Sequence, residues 1–238
     1  MIDYSIVIPV YNEEENIKPL LDRLGETLPE LGGQYEIILV DDGGTDRSVQ
    51  LIKDAAVEDE RIRLICFEAN CGQSAAFAAG FAAARGEVFI TMDADLQNDP
   101  GEIPKLLPHL KDHDAASGWR VKRNDTLSKR ISTKIANAIR NRLSGESIHD
   151  SACSLKAIKR DAALSIKWFN GAHRFVPTLL KLEGYTVAEV PVKHFPRTLG
   201  TAKYGVWNRV FCSFYDLLGV RWMKSRRLNY RILEERNE

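Results

Sequence analysis

The first hundred residues alternate between two hydrophobic periods. Tyr4–Val10 is a short β-branched run, the pattern of a strand buried on both faces. Over 14–28 the apolar residues Ile17, Leu20, Leu21, Leu24 and Leu28 recur at helical spacing, and Gly32-Gly33 closes the unit. A second strand is predicted over 35–40. A second helix over 45–57 has Thr45 or Asp46 near its N-cap. A third strand follows over 62–68, then an Ala-rich helix over 73–84 whose small residues permit close packing on a sheet, then a fourth strand over 88–92. Repetition of strand and helix predicts right-handed βαβ units, hence an α/β fold with a mostly parallel sheet and helices on both faces.

After residue 100 the pattern loosens. The stretch 100–110 reads as a helix opening with Pro and acids. A short strand over 115–119, a basic amphipathic helix over 127–143 and a further strand within 148–156 follow. Helices over 160–166 and 174–183, a strand over 186–192 and a loop over 196–204 complete the body. A mostly apolar helix over 206–223 and a charged tail over 224–238 come last. With no repeat and no low-complexity linker, the economical division is one domain over 1–205 with a C-terminal helical segment over 206–238.

A chain of 238 residues is long enough to bury a sizeable core, and its 44% hydrophobic and 28% charged content is ordinary for a soluble domain. Lys+Arg and Asp+Glu number 33 each, which argues against a nucleic-acid binder. The neutral sum hides an asymmetry. Acids concentrate in the first half and bases around 120–142 and 193–231, as a site holding both a metal and phosphates requires. Cys66, Cys71, Cys153 and Cys212 form no Cys-x-x-Cys pair or zinc-like spacing and read as reduced thiols. No signal peptide is expected ahead of the opening strand. The absence of about 18 consecutive uncharged apolar residues predicts no spanning helix.

Ligands of an open α/β sheet bind beyond the carboxyl ends of its strands. After the four predicted strands stand Pro9-Val-Tyr-Asn-Glu13, Asp41-Asp42-Gly-Gly-Thr-Asp46, Asn70-Cys-Gly72 and Asp93-Ala-Asp95-Leu-Gln97. Each alone has a reading as a turn; four polar ends at one sheet edge do not. In Asp93-Ala-Asp95 alternate residues of an extended chain point the same way, and two such carboxylates near Gln97 make a hard oxygen site for Mg²⁺ or Mn²⁺. Such a metal neutralises a diphosphate. No Walker A sequence and no Gly-x-Gly-x-x-Gly follows the first strand, which disfavours P-loop chemistry, dinucleotide binding and nucleotidyl transfer.

Pro9-Val-Tyr-Asn-Glu-Glu14, Val40-Asp-Asp-Gly-Gly-Thr-Asp46 and Met92-Asp-Ala-Asp-Leu-Gln97 resemble the signature set of family 2 inverting glycosyltransferases of GT-A fold. Gly72, Ala76, Gly80 and Ala84-Arg-Gly86 fit the same pattern. Gly118-Trp-Arg120, Asp150 in His149-Asp-Ser-Ala-Cys-Ser-Leu155, and His194-Phe-Pro-Arg197 with Lys203-Tyr204 resemble the dolichol- and polyprenyl-phosphate sugar synthases. The resemblance covers about residues 4–210. It implies that Pro9, Tyr11, Glu13 and Asp42 line the base and ribose pocket, with Gly72 and Gln73 also at the nucleotide; Asp41 either meets the nucleotide or caps its own turn. It implies further that Asp93, Asp95 and Gln97 hold the metal and diphosphate. Two departures stand out. Gly44 replaces the family's usual serine, at the expected cost of one hydrogen bond, and Ser151-Ala-Cys-Ser-Leu155 lacks the usual Gly-Phe-like step.

A hydroxyl acceptor needs a general base, whereas a phosphate monoester is already largely ionised and needs cationic clamps. Arg120, Arg130, Arg197 and Lys203 fit that second demand. Asp150 is expected at the site, either as a base or as an orienting group; His173 and His194 read as supporting residues. The expected activity is therefore transfer of a sugar from a GDP- or UDP-sugar to a polyprenyl phosphate. Transfer to a hydroxyl acceptor stays open, as does a non-catalytic nucleotide-sugar-binding subunit. The aromatics Trp207, Phe211, Phe214 and Trp222 beside Lys224, Arg226 and Arg227 suit a helix lying in a bilayer interface, so peripheral contact with the cytoplasmic face of the membrane is expected. A core-packed helix or a homo-oligomer contact is the competing use of that surface.

Overall fold

The computed structural model describes residues 1–121, 148–196 and 206–227. Seven strands, β1 (Tyr4–Val10), β2 (Tyr35–Asp41), β3 (Ile62–Cys66), β4 (Val88–Thr91), β5 (Ala115–Arg120), β6 (Lys156–Lys159) and β7 (Val187–Val192), form one sheet of order β3-β2-β1-β4-β6-β5-β7. β3, β2, β1 and β4 are mutually parallel, as are β5 and β7. β6 lies between β4 and β5 and runs antiparallel to both. The chain runs outward from β1 to β3 and then crosses back to place β4 on the other side of β1. This is a topological switch point, and it opens a crevice at the carboxyl ends of those two strands.

Period-two alternation divides the core between the sheet faces. Ile6, Ile8 and Val10 of β1 and Ile37 and Leu39 of β2 pack with Ile17, Leu20 and Leu24 of α1 (Glu14–Thr27) and Ile52 of α2 (Ser48–Glu58). Val7, Ile38 and Val40 face the opposite way, onto Ala76, Phe77 and Phe81 of α3 (Gln73–Ala83). A Cβ at Gly80 would stand 2.3 Å from Val7 Cγ1, so α3 sits as close to the sheet as it does only because residue 80 has no side chain.

The predicted helix over 100–110 is in fact three short pieces: a 3₁₀ turn at Pro100–Glu102, α4 (Ile103–Leu106) and a second 3₁₀ turn at Leu107–Lys111. Pro100, Pro104 and Pro108 recur every fourth residue, and each removes an amide donor that a continuous helix would use. The second helix begins at Ser48 rather than 45, because Asp46 turns its carboxylate onto Ser48 N (2.9 Å) and Glu14 N (3.0 Å). Only the last residue of the strand predicted within 148–156 belongs to the sheet; the pairing starts at Lys156. Further on come α5 (Arg160–Leu164), α6 (Val176–Leu182) and α7 (Val206–Ser225). Leu217 and Val220 of α7 are buried in the α3-side core, while Phe214, Tyr215, Leu218 and Trp222 are exposed. No helix among the described residues is long and apolar enough to cross a membrane. The basic helix expected over 127–143 lies outside the described residues.

Candidate active site

The loops after β1 and β2 are interlocked. Asn12 adopts a left-handed backbone (φ 52°), and its Oδ1 accepts from Thr45 N (2.6 Å) and Asp46 N (3.3 Å). Glu13 N donates to Ser48 Oγ (2.9 Å), and Glu13 Oε2 accepts from Asn16 Nδ2 (2.6 Å). Pro9, Tyr11 and Glu13 are all half-buried along this rim. Asn12 was not picked out as a site residue from the sequence; its tolerance of the left-handed region was the available signal.

Asp41 and Asp42 are 2% and 3% exposed, yet their surroundings differ. Both oxygens of Asp42 are engaged by the loop after β3: Cys71 N donates to Oδ1 (2.6 Å) and Gly72 N to Oδ2 (2.9 Å). Asp41 Oδ2 accepts from Gly44 N (2.9 Å), but its buried Oδ1 has no partner among the described residues. A Cβ at Gly44 would lie 2.8 Å from that oxygen, so the serine the family usually carries would meet the group left unsatisfied here. Burial raises the pKa of both carboxyls, against the backbone N–H groups that favour ionisation; the charge of Asp46 raises Asp41 further, and that of Asp41 raises Asp42. Gly43 carries φ +69°, and a Cβ there would lie 2.4 Å from the Ala69 carbonyl carbon. Only glycine fits this crossing of two loops.

Across the switch point, Asp93 and Asp95 are half-buried and flank the buried Ala94; the strand ends at Thr91 and Ala94–Asp95 form a turn, so the turn and not the alternation of an extended chain sets the two carboxylates. Gln73, at the start of α3, donates from Nε2 to Asp93 Oδ1 (2.7 Å). Asp95 Oδ1 accepts from Gln97 N (3.1 Å), a turn closed by Leu96 in the left-handed region (φ 56°). A non-glycine residue held there stores strain of a kind that clusters at functional sites. Gln97 also meets the chain beyond β7: Phe195 N donates to Gln97 O (2.9 Å), and Gln97 Nε2 to Phe195 O (3.5 Å). No group of three or more His, Cys, Asp or Glu able to hold a metal exists among the described residues. Two hard carboxylates suit a divalent cation shared with ligand phosphates, which is how Mg²⁺ is usually held.

Arg120, at the end of β5, grips Asp150 in a fork: Nε to Oδ2 at 2.6 Å and Nη2 to Oδ1 at 2.9 Å. The two side chains are 13% and 11% exposed. Burial opposes the guanidinium charge, but the hydrogen bonds and charge of Asp150 outweigh it and raise the Arg120 pKa. The chain after Asp150 is pinned by three successive carbonyls. Cys153 O accepts from Lys156 Nζ, Ser154 O from Thr91 Oγ1 (2.5 Å) and Leu155 O from Gly118 N (2.9 Å). Asn98 Nδ2 also donates to Ser154 Oγ (2.8 Å). This lashes the Asp150 segment to the loop that carries Asp93 and Asp95. Lys156 escaped the sequence reading; β6 carries a lysine at each end, and nothing in the sequence marks the first as the buried one. The structure thus gathers Asp41, Asp42, Gly72, Gln73, Asp93, Asp95, Gln97, Arg120 and Asp150 at one edge of the sheet. Arg130, Arg197 and Lys203 lie outside the described residues.

The chain is similar in sequence and fold to known proteins. Residues 5–166 match the glycosyl transferase family 2 domain, and the chain belongs to that family. It is 38% identical over 216 residues to an undecaprenyl-phosphate 4-deoxy-4-formamido-L-arabinose transferase of Pectobacterium carotovorum, a match covering 90% of this chain and 66% of the relative. It is 36% identical over 225 residues to a dodecaprenyl-phosphate galacturonate synthase of Rhizobium johnstonii, covering 92% of this chain and 66% of that protein. The chain thus spans just under two thirds of the length of these curated relatives. In fold it is similar to glucosyl-3-phosphoglycerate synthase of Mycobacterium tuberculosis, solved with Mn²⁺ and UDP-glucose, with a TM-score of 0.68 at 16% identity, covering 93% of this chain and 78% of that one. The sheet and its flanking helices are therefore those of the GT-A fold.

Proposed function

We propose that the protein is a metal-dependent inverting glycosyltransferase that moves a sugar from a nucleotide-sugar to a polyprenyl phosphate. The observation that carries this reading is the pairing, at one sheet edge, of Asp93 and Asp95 with the enclosed Arg120–Asp150 fork. Names of relatives that act on undecaprenyl and dodecaprenyl phosphate support the acceptor.

The residues divide the work as follows. Asp42 holds Cys71 and Gly72 in place and so shapes the nucleotide pocket from behind. Asp41, whose buried Oδ1 has no partner among the described residues, is the better candidate to accept an N–H from the base or a ribose hydroxyl, beside Pro9, Tyr11 and Glu13. Asp93, steadied by Gln73, would hold Mg²⁺ or Mn²⁺ together with Asp95, and Gln97 closes that loop. A bound divalent cation supplies charge neutralisation for the departing diphosphate. Arg120 offers its cationic edge to the acceptor phosphate, fixed in direction by Asp150. Because Arg120 occupies both oxygens of Asp150, this carboxylate is poorly placed to take a proton from a hydroxyl acceptor; this favours the phosphate acceptor over the hydroxyl one. Arg197 and Lys203 are proposed to complete the cationic clamp.

The outer face of α7, with Phe214, Leu218 and Trp222 one helical turn apart and Arg221 and Lys224 nearby, supports peripheral binding at the cytoplasmic face of a membrane, where the lipid acceptor resides. Incubation with labelled GDP- and UDP-sugars, Mn²⁺ or Mg²⁺ and a polyprenyl phosphate tests the whole reading. Label enters the lipid phase only with metal, and Asp95→Ala lowers turnover by at least about a hundredfold, the scale of a lost transition-state charge contact. Near-normal turnover by that variant would sink the metal assignment.

A further inference from the structure

Lys156 has no role in the reading above, yet its position is exceptional. At 4% exposure it is the one lysine or arginine in the buried set of the described residues. Because β6 runs antiparallel to β4, its first residue stands opposite Thr91, the last residue of β4, at the edge of the sheet where Asp93 follows. On its other side Lys156 pairs with Ser117 of β5, three residues before Arg120. Its Nζ donates to Cys153 O. One neutral carbonyl is poor compensation for an enclosed ammonium. Burial is the largest influence and leaves the Lys156 pKa below the ordinary lysine value; Arg120 acts in the same sense, and the charges of Cys153, Asp93 and Asp150 in the opposite one.

We propose that Lys156 is an enclosed counter-cation of the donor site, weakening the hold of Asp93 and Asp95 on a bare divalent cation and strengthening the hold of the same site on a nucleoside diphosphate. The inference rests on the metal-site reading above. Lys156 stands with Arg120 against the carboxylates of Asp41, Asp42, Asp93, Asp95 and Asp150, so its loss makes the site more negative by one charge. A cation held inside the protein is little screened by salt, so its field at the site persists at physiological ionic strength. It acts with opposite signs on the two partners of the site: repulsive to the metal, attractive to the diphosphate. Lys156 is thus a positioning and charge-setting residue, not one that touches the reacting atoms.

The opposite signs make the test specific. Binding of Mn²⁺ alone, and of UDP and GDP without metal, would be measured by titration calorimetry on wild type, Lys156→Met, Lys156→Gln and Lys156→Arg. Glutamine can still donate to Cys153 O while losing the charge, so it serves if the methionine variant does not fold. The neutral variants are expected to bind Mn²⁺ about tenfold more tightly, equivalent to about 1.4 kcal/mol, and to bind the nucleotide several-fold more weakly. Lys156→Arg should stay near wild type. A merely structural defect would weaken both. Weakening of both, or no change in either, overturns the proposal. Mn²⁺ binding that is abolished by Asp95→Ala but indifferent to Lys156→Met overturns it alone. Mn²⁺ binding that is absent, or insensitive to Asp95→Ala, overturns the metal-site reading and this inference together.

Discussion

Replacing Arg120 with methionine removes a guanidinium that makes two short hydrogen bonds to Asp150, at 2.6 and 2.9 Å. The pair is nearly enclosed, with 13% and 11% of the two side chains exposed, so solvent cannot take over the lost contacts. Removing one member of a buried pair strands the other charge, at a cost of 3–5 kcal/mol; the residual exposure argues for the lower end, about 3 kcal/mol. For a domain of this size that corresponds to a fall in Tm of roughly 6–12 °C. Asp150→Val should cost a similar amount by leaving the arginine unpaired. The double variant should be far less destabilised than the sum, because neither charge is then buried alone, with a coupling of at least about 1.5 kcal/mol. Urea unfolding of the four proteins measures the cycle. Additive losses, or single variants within about 0.5 kcal/mol of wild type, would refute the account of the fork as an interdependent buried pair.

Gly43→Ala should cost about 2–3 kcal/mol and weaken nucleotide binding, since the new Cβ meets backbone at 2.4 Å in a left-handed conformation; thermal denaturation and UDP titration check both. Asp41→Asn separates stability from binding. The folded-state pKa of Asp41 is raised, chiefly by burial, so its contribution to stability is present at low pH and is lost as pH rises through the raised pKa. The asparagine variant should therefore match or exceed wild type in stability at neutral pH, and this advantage should shrink on acidification toward the ordinary carboxylate range. Its nucleotide affinity should fall by about tenfold, the worth of one hydrogen bond to a charged acceptor. Unchanged affinity would remove Asp41 from the pocket.

The parallel half of the sheet was legible in the sequence because the βαβ rhythm writes itself in hydrophobic period, and the carboxyl ends of those strands announced their polar residues. In the second half β5 and β7 were legible as well, and β6 was not. β6 is four residues long, and its reversed direction leaves no mark on a pattern of apolar positions. The prolines at 100, 104 and 108 were visible, but their joint effect on a predicted helix appeared only in the broken turns.

The candidate site divides along the same line. Motif and spacing were enough to assemble Asp41, Asp42, Asp93, Asp95 and Gln97 as one site, since consecutive parallel strands must deliver their ends to a common edge. The uses to which those carboxylates are put came only with the tertiary structure. Of two adjacent aspartates, one has both oxygens engaged by the backbone at 71–72 and the other keeps a buried oxygen without a partner among the described residues. Arg120 and Asp150, thirty positions apart, form a single enclosed fork. Lys156 reaches the edge of the site because an antiparallel strand starts where its parallel neighbour ends. Local sequence determines which elements form and what chemistry their ends carry, because propensity and periodicity act over a few residues. Which charge meets which is decided by contacts between distant segments, and these exist only once the sheet has closed around them.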